Sequence, residues 1–168
     1  MAVYTKFTEQ NIKSILSNYS IGNLESFKGI EEGIENTNYF LLVDEKKYIL
    51  TVYEKRVKEE DLPFFSKLMI GLNESKFECP VPILNINNNP ITEFNNKKLM
   101  IVSFIEGKAK SILNPENCKS VGREAAKMHE ITKKFKIKRK NDLSIESWRK
   151  LFNVVKSGCT KIHKDLPR

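Results

Sequence analysis

The chain is poor in the residues that build metal and redox centres. It has only two histidines, His129 and His163, and three widely spaced cysteines, Cys79, Cys118 and Cys159. No C-x-x-C pair or Cys/His ligand spacing occurs, and the odd cysteine count suits free thiols in a reducing compartment. A structural zinc or a disulfide framework is therefore not expected. No apolar run approaches the roughly 18 residues of a membrane span. The first ten residues, MAVYTKFTEQ, lack the apolar stretch of a secretion signal. The expectation is a cytoplasmic protein without a membrane partner. Acidic residues are also short against basic ones, giving a formal charge of +8. Six of the basic residues lie in one connector, Lys133 to Lys140 (KKFKIKRK), which leaves about +2 elsewhere. Such a run reads as a solvated linker. With no aromatic-rich RNA-binding pattern beside it, no nucleic-acid partner is expected.

What is present centres on Leu24 to Tyr53, LESFKGIEEGIENTNYFLLVDEKKYILTVY. It reads as strand, polar loop, strand, charged turn and strand. Gly29 to Asn38 contains two glycines, three glutamates and two asparagines, and five apolar residues follow it. A long polar loop of this kind over a sheet suits a phosphate-bearing ligand held by backbone N–H groups. Before it, Thr8 caps a helix whose Ile12, Ile15, Leu16 and Tyr19 share one face. Asp44 to Lys47 forms a four-residue hairpin connection. A helix then opens at Pro63 with Leu62, Phe65, Leu68, Met69 and Leu72 inward. Cys79-Pro80-Val81-Pro82 forces an extended crossing. Ile83–Ile86 and Ile91–Phe94 flank a turn, and Lys98–Phe104 (KLMIVSF) is a buried strand. Beyond Gly107 the pattern is helical. Pro115 opens a long helix with Cys118, Val121, Gly122, Ala125, Met128 and His129 on one face, and its small residues suggest close helix packing. Ser144 caps another helix carrying Trp148, Leu151, Phe152 and Val155, Gly158 ends it, and 160–166 suggests a last short helical piece. Residues 1–104 are thus read as a β-rich lobe and 105–168 as a hinge with the start of a helical lobe. The fold class is α+β.

An antiparallel five-strand lobe with one helix after its third strand, a hinge and then helices is the layout of protein-kinase-like folds. The segments SFKGIEEGIENTNYFL, YILTVYEKRV, DLPFF, IVSFIEG, AAKMHE and NDLSIESW together resemble bacterial homoserine kinases of the ThrB type, over essentially the whole chain. That resemblance implies Mg²⁺-dependent transfer of the ATP γ-phosphoryl group to the hydroxyl of L-homoserine, with a fold like that of the aminoglycoside and choline phosphotransferases. It makes Gly29 to Asn38 the loop over the phosphates. Gly29 and Gly33 would allow close backbone approach, while Asn36, Thr37 and Asn38 would donate to phosphate oxygens or fix the loop. Ser103 to Gly107 becomes the hinge, with backbone groups of Ser103, Phe104 and Ile105 near adenine. Ile49, Val81 and Ile101 are the candidates for an apolar adenine pocket.

Two departures from the family pattern stand out. Thr51 occupies the position where a third-strand lysine is usual. Lys55 or Arg56 then supplies the charge, with an acidic partner among Glu59, Glu60 and Asp61. The catalytic loop H-x-D-L-x-x-D-N, which positions the hydroxyl and holds the metal, is absent. His163-Lys164-Asp165-Leu166 imitates its start, but it follows the Trp148 helix too closely and continues as Pro-Arg. Asp165 is rejected as a catalytic base, so no catalytic or metal-binding residue is assigned within the chain. The metal ligands are expected beyond Arg168 in a C-terminally truncated, inactive form. A nucleotide- or protein-binding relative without catalysis, and a related kinase for an aminoglycoside, choline or another amino alcohol, remain alternatives. His129 reads as a partly buried structural histidine and His163 as a surface one. Trp148 reads as core or as lining the substrate side. Helical faces over 108–134 and 144–158 would lack cover, so self-association through them is expected.

Overall fold

The computed structural model describes residues 3–55, 57–159 and 161–162. Arg56, His163, Asp165 and most of the helical piece expected over 160–166 thus lie outside the described residues. The chain forms two compact units, one ending at Ile137 and one beginning at Lys138.

The first unit is built on a five-stranded antiparallel sheet ordered β1-β2-β3-β5-β4. Its strands are β1 (Leu24–Ile30), β2 (Thr37–Val43), β3 (Lys46–Val52), β4 (Thr92–Phe94) and β5 (Lys97–Ser103). The helix α1 (Glu9–Leu16) begins in a reciprocal cap, where Thr8 Oγ1 accepts from the Asn11 N–H and Asn11 Oδ1 accepts from the Thr8 N–H. Its Ile12, Ile15 and Leu16 are buried against Tyr39, Leu41, Val43, Leu50 and Ile101. Each such side chain contributes roughly 1.5–3 kcal/mol by leaving water. Side chains alternate across a strand, so Tyr39, Leu41 and Val43 point to this α1 face. Phe40 and Leu42 sit half-buried on the other. The apolar run in β2 therefore serves two faces. The edge strand β1 exposes Glu25 and Ser26, which discourages pairing with another chain.

Local departures from the expected pattern have identifiable causes. The β2–β3 connection is a two-residue turn rather than four, because Asp44 and Glu45 both take positive φ (42° and 62°) and Lys46 and Lys47 join the strand. That conformation matches the twist of a hairpin, and Asn95-Asn96 repeats it between β4 and β5. Ile83–Ile86 forms no strand; a single bridge joins Pro82 to Val102. The helix α2 (Leu62–Glu74) carries Pro63 in its first turn.

The helix α3 (Pro115–Thr132) starts from an Asn114 cap and touches α2. Its half-buried stripe runs through Asn117, Ala125, Met128 and Thr132. His129 lies one position off that stripe and is exposed, so it is not the partly buried histidine expected. A side chain at Gly122 would meet nothing within 4 Å, so the close helix packing expected there does not occur among the described residues. In the second unit α4 (Ile145–Cys159) is amphipathic with no buried residue. Trp148, expected as core, is 59% exposed, as nothing in this helix's own unit covers it. Its indole Nε1–H donates to the Leu143 carbonyl. No helix among the described residues is long and apolar enough to cross a membrane.

Two glycines should respond oppositely to alanine. Gly22 has φ +111°, and a Cβ there would lie 2.0 Å from Asp44 Oδ2, whose partner oxygen accepts from the Asn23 N–H. Gly22→Ala should lower the unfolding free energy by about 1–3 kcal/mol. Gly122→Ala, in an open helical position, should raise it by about 0.5–1 kcal/mol. Urea denaturation of both variants checks the pair.

Candidate nucleotide site

The sheet offers two surfaces, and strand register decides which residue belongs to which. On the face opposite α1, Phe40, Ile49 and Val102 lie side by side across β2, β3 and β5. The next row is Asn38, Thr51 and Met100. Phe104 continues the surface beyond β5, its ring edge-on to Phe40 with centroids 5.5 Å apart. Lys47 Nζ stands 5.7 Å from the Phe104 ring centre and pairs with Glu106. Except for buried Met100, these strand residues are half-buried. They form an apolar strip that ends in polar groups where the loop begins. Tyr53, near Met100 Sδ, has its phenol pushed up to about 12 by burial.

Of the three residues expected to line an adenine pocket, only Ile49 lies on this strip. Ile101 is fully buried beside Leu50 in the α1-face core. Val81 falls opposite Ser103, in register with that same face. The cause is the two-residue period of the strand: a shift of one position moves a side chain to the other surface. Phe40 and Val102, not Ile101 and Val81, share this face with Ile49. The five-residue apolar run in β2 was the available signal for Phe40.

The hinge residues are unevenly committed. Ser103 exchanges backbone and hydroxyl hydrogen bonds with Val81. The Phe104 N–H donates to the Lys47 carbonyl at 3.3 Å. This leaves the Phe104 carbonyl and the Ile105 backbone facing the hinge without hydrogen bonds among the described residues.

The loop residues divide in the same way. Gly33 takes φ +120°, a conformation that suits glycine. Gly29 does not; its missing Cβ instead leaves room for Val3, whose Cγ2 would be 3.1 Å away. Asn38 accepts from Thr51 Oγ1 at 2.8 Å, which leaves its amide NH₂ for another acceptor. Asn36 accepts from the Glu54 N–H at 3.3 Å.

Thr37 is fully buried and holds Glu54 rather than pointing outward. Its Oγ1 accepts from the Tyr4 and Thr5 N–H groups and donates to Glu54 Oε1 at 2.9 Å. Thr5 Oγ1 donates to the same oxygen at 2.6 Å, and Lys97 pairs with Oε2. Burial alone would raise the Glu54 pKa. The bonds from Lys97, Thr5 and Thr37, with the charge of Lys97, outweigh burial and hold the carboxyl below its ordinary range. No pattern near Glu54 announces this cluster, since its partners lie 17, 43 and 49 positions away.

Lys55 is exposed and lines a depression of about 400 Å³ with Tyr4, Ile34, Glu35 and Glu54. It is therefore brought beside the loop. Arg56 lies outside the described residues. Among the acidic residues after β3, Glu59 stands 3.6 Å from Lys98, which also pairs with Glu93. No group of three or more His, Cys, Asp or Glu that could hold a metal occurs among the described residues.

Residues 26–156 match the phosphotransferase enzyme family. A homoserine kinase of Methylobacterium radiotolerans is 43% identical over 166 residues, covering 99% of this chain and 52% of its own length. One of Beijerinckia indica is 40% identical over 162 residues, covering 96% of this chain and 50% of its own. The chain spans about half the length of the curated relatives it matches. Among solved structures, amicoumacin kinase in complex with AMP-PNP, Ca²⁺ and Ami superposes with a TM-score of 0.64 at 14% identity, over 79% of this chain and 42% of that one. The fold is that of the protein-kinase-like phosphotransferases.

Because the folded-state pKa of Glu54 is depressed, its ionised form favours the folded chain. That contribution is complete above the ordinary glutamate range and is lost as pH falls through the lowered folded value. Glu54→Gln should cost about 1.5–3 kcal/mol at pH 7 and should flatten the acid limb of stability. Denaturation midpoints of both proteins from pH 7 to pH 3 check this; parallel acid limbs would contradict it.

Proposed function

The chain belongs to the phosphotransferase enzyme family, and from that premise we propose that it is the nucleotide-binding portion of a cytoplasmic homoserine kinase. In this reading ATP is presented for transfer of its terminal phosphoryl group to the side-chain hydroxyl of L-homoserine. The observation that carries it is the 40–43% identity to homoserine kinases across nearly all of this chain. The lobe division at 104/105 belongs to the same proposal.

The adenine lies against Phe40, Ile49 and Val102, with the free backbone groups of Phe104 and Ile105 at its edge. The phosphates then extend toward the loop that ends at Asn38. There the amide NH₂ of Asn38, and that of Asn36, serve as neutral donors. Lys55 supplies the positive charge that Thr51 cannot. Mg²⁺ accompanies ATP in phosphoryl transfer and neutralises charge developing on the phosphates. The described residues do not present a donor set for it, so no step through the metal is assigned to them. Their part is to bind and orient the nucleotide. In phosphoryl transfer that positioning is a large share of catalysis.

Calorimetric titration should give saturable ATP binding, weakened about three- to tenfold by Asn38→Ala through loss of a hydrogen bond. Residues 1–168 joined to the second half of the Methylobacterium radiotolerans relative should release ADP with L-homoserine. Choline or an aminoglycoside in its place should give none, and the 168-residue chain alone should give none with any of the three. A folded fusion that binds ATP without homoserine-dependent turnover would overturn the proposal.

A further inference from the structure

The segment ahead of α1 touches the polar loop at both legs and at its crest. On the outgoing leg, Val3 packs so close to Gly29 that its Cγ2 would lie 3.1 Å from an added Cβ. At the crest, the Tyr4 hydroxyl donates to the Ile34 carbonyl at 2.8 Å. On the return leg, the N–H groups of Tyr4 and Thr5 donate to Thr37 Oγ1 at 2.9 and 3.1 Å. Thr5 is fastened in turn through its hydroxyl to Glu54 and through its carbonyl to the Tyr39 hydroxyl. The Tyr4 side chain also walls the depression that holds Lys55.

We propose that Val3–Thr5 is a strap that sets the position of the loop over residues 31–36, with Tyr4 as its positioning residue. This rests on the nucleotide reading given above. A loop free at its crest must be ordered when a ligand arrives, and that ordering weakens binding. A loop already bonded at its crest, between strand ends at Gly29 and Thr37 that the strap also contacts, loses less freedom. Tyr4 is suited to a test because it is 58% exposed and outside the core cluster. Its hydroxyl restrains the loop without supporting the sheet.

Tyr4→Phe keeps the ring and removes the one bond to Ile34. In the nucleotide-free protein, backbone ¹⁵N order parameters over residues 31–36 should fall, with the unfolding midpoint unchanged. The Kd for ATP should rise about fivefold, the loss of about one hydrogen bond's worth of ordering. Thr5→Val, which releases the strap from Glu54 instead, should lower the same order parameters. Unchanged order parameters in both variants would overturn the strap. Lower order parameters with unchanged ATP affinity would overturn its part in binding. Absence of ATP binding by the wild-type protein would strike the nucleotide reading itself, and the strap's role with it, whatever the order parameters show.

Discussion

The carboxylate of Glu54 gathers three distant pieces of chain at one point. Thr5 comes from the strap, Thr37 from the first position of β2, and Lys97 from the first position of β5. A carboxylate that is 11% exposed would be costly to keep charged without such partners. With them it becomes a fixed node at the end of the sheet where the polar loop returns. The loop's return leg, the strap and the end of β3 therefore share one anchor. The orientation of Asn36 and Asn38 on either side of buried Thr37 follows from that anchor.

Alternation along the strands turns this fixed frame into two surfaces with different work. One is sealed by α1, with Ile12, Ile15, Leu41, Leu50 and Ile101 fully buried. The other keeps Phe40, Ile49 and Val102 half-exposed between the hinge and the loop. A flat aromatic ligand at the hinge end, with charge at the loop end, fits that gradient from apolar to polar. Thr51 carries no charge; Lys55, beyond the end of β3, lies beside the loop with Tyr4 and Ile34.

Much of the frame was legible because its signals are local. Thr8, Pro63 and Pro115 mark helix starts within a few residues. The run from Tyr39 to Val43 marks a strand apolar on both faces. The conformation of Asp44-Glu45 was not legible, since neither residue is a glycine or asparagine. The faces of Ile101 and His129 were not legible for a different reason: Ile101 lies on the α1 face one position from Val102, His129 lies exposed one position from Met128, and composition does not resolve one position. The Glu54 node and the role of Gly29 were hidden because they depend on partners brought together only by folding. Val3 meets Gly29 across the sheet edge, which no spacing within the loop reveals.

The account turns on which surface of the sheet receives a nucleotide. Methyl NMR of isoleucine- and valine-labelled protein during addition of AMP-PNP separates the two. Shifts at the methyls of Ile49 and Val102, with Ile101 and Ile15 unmoved, are the result the account predicts. Shifts at Ile101 and Ile15 with Ile49 and Val102 silent would contradict it.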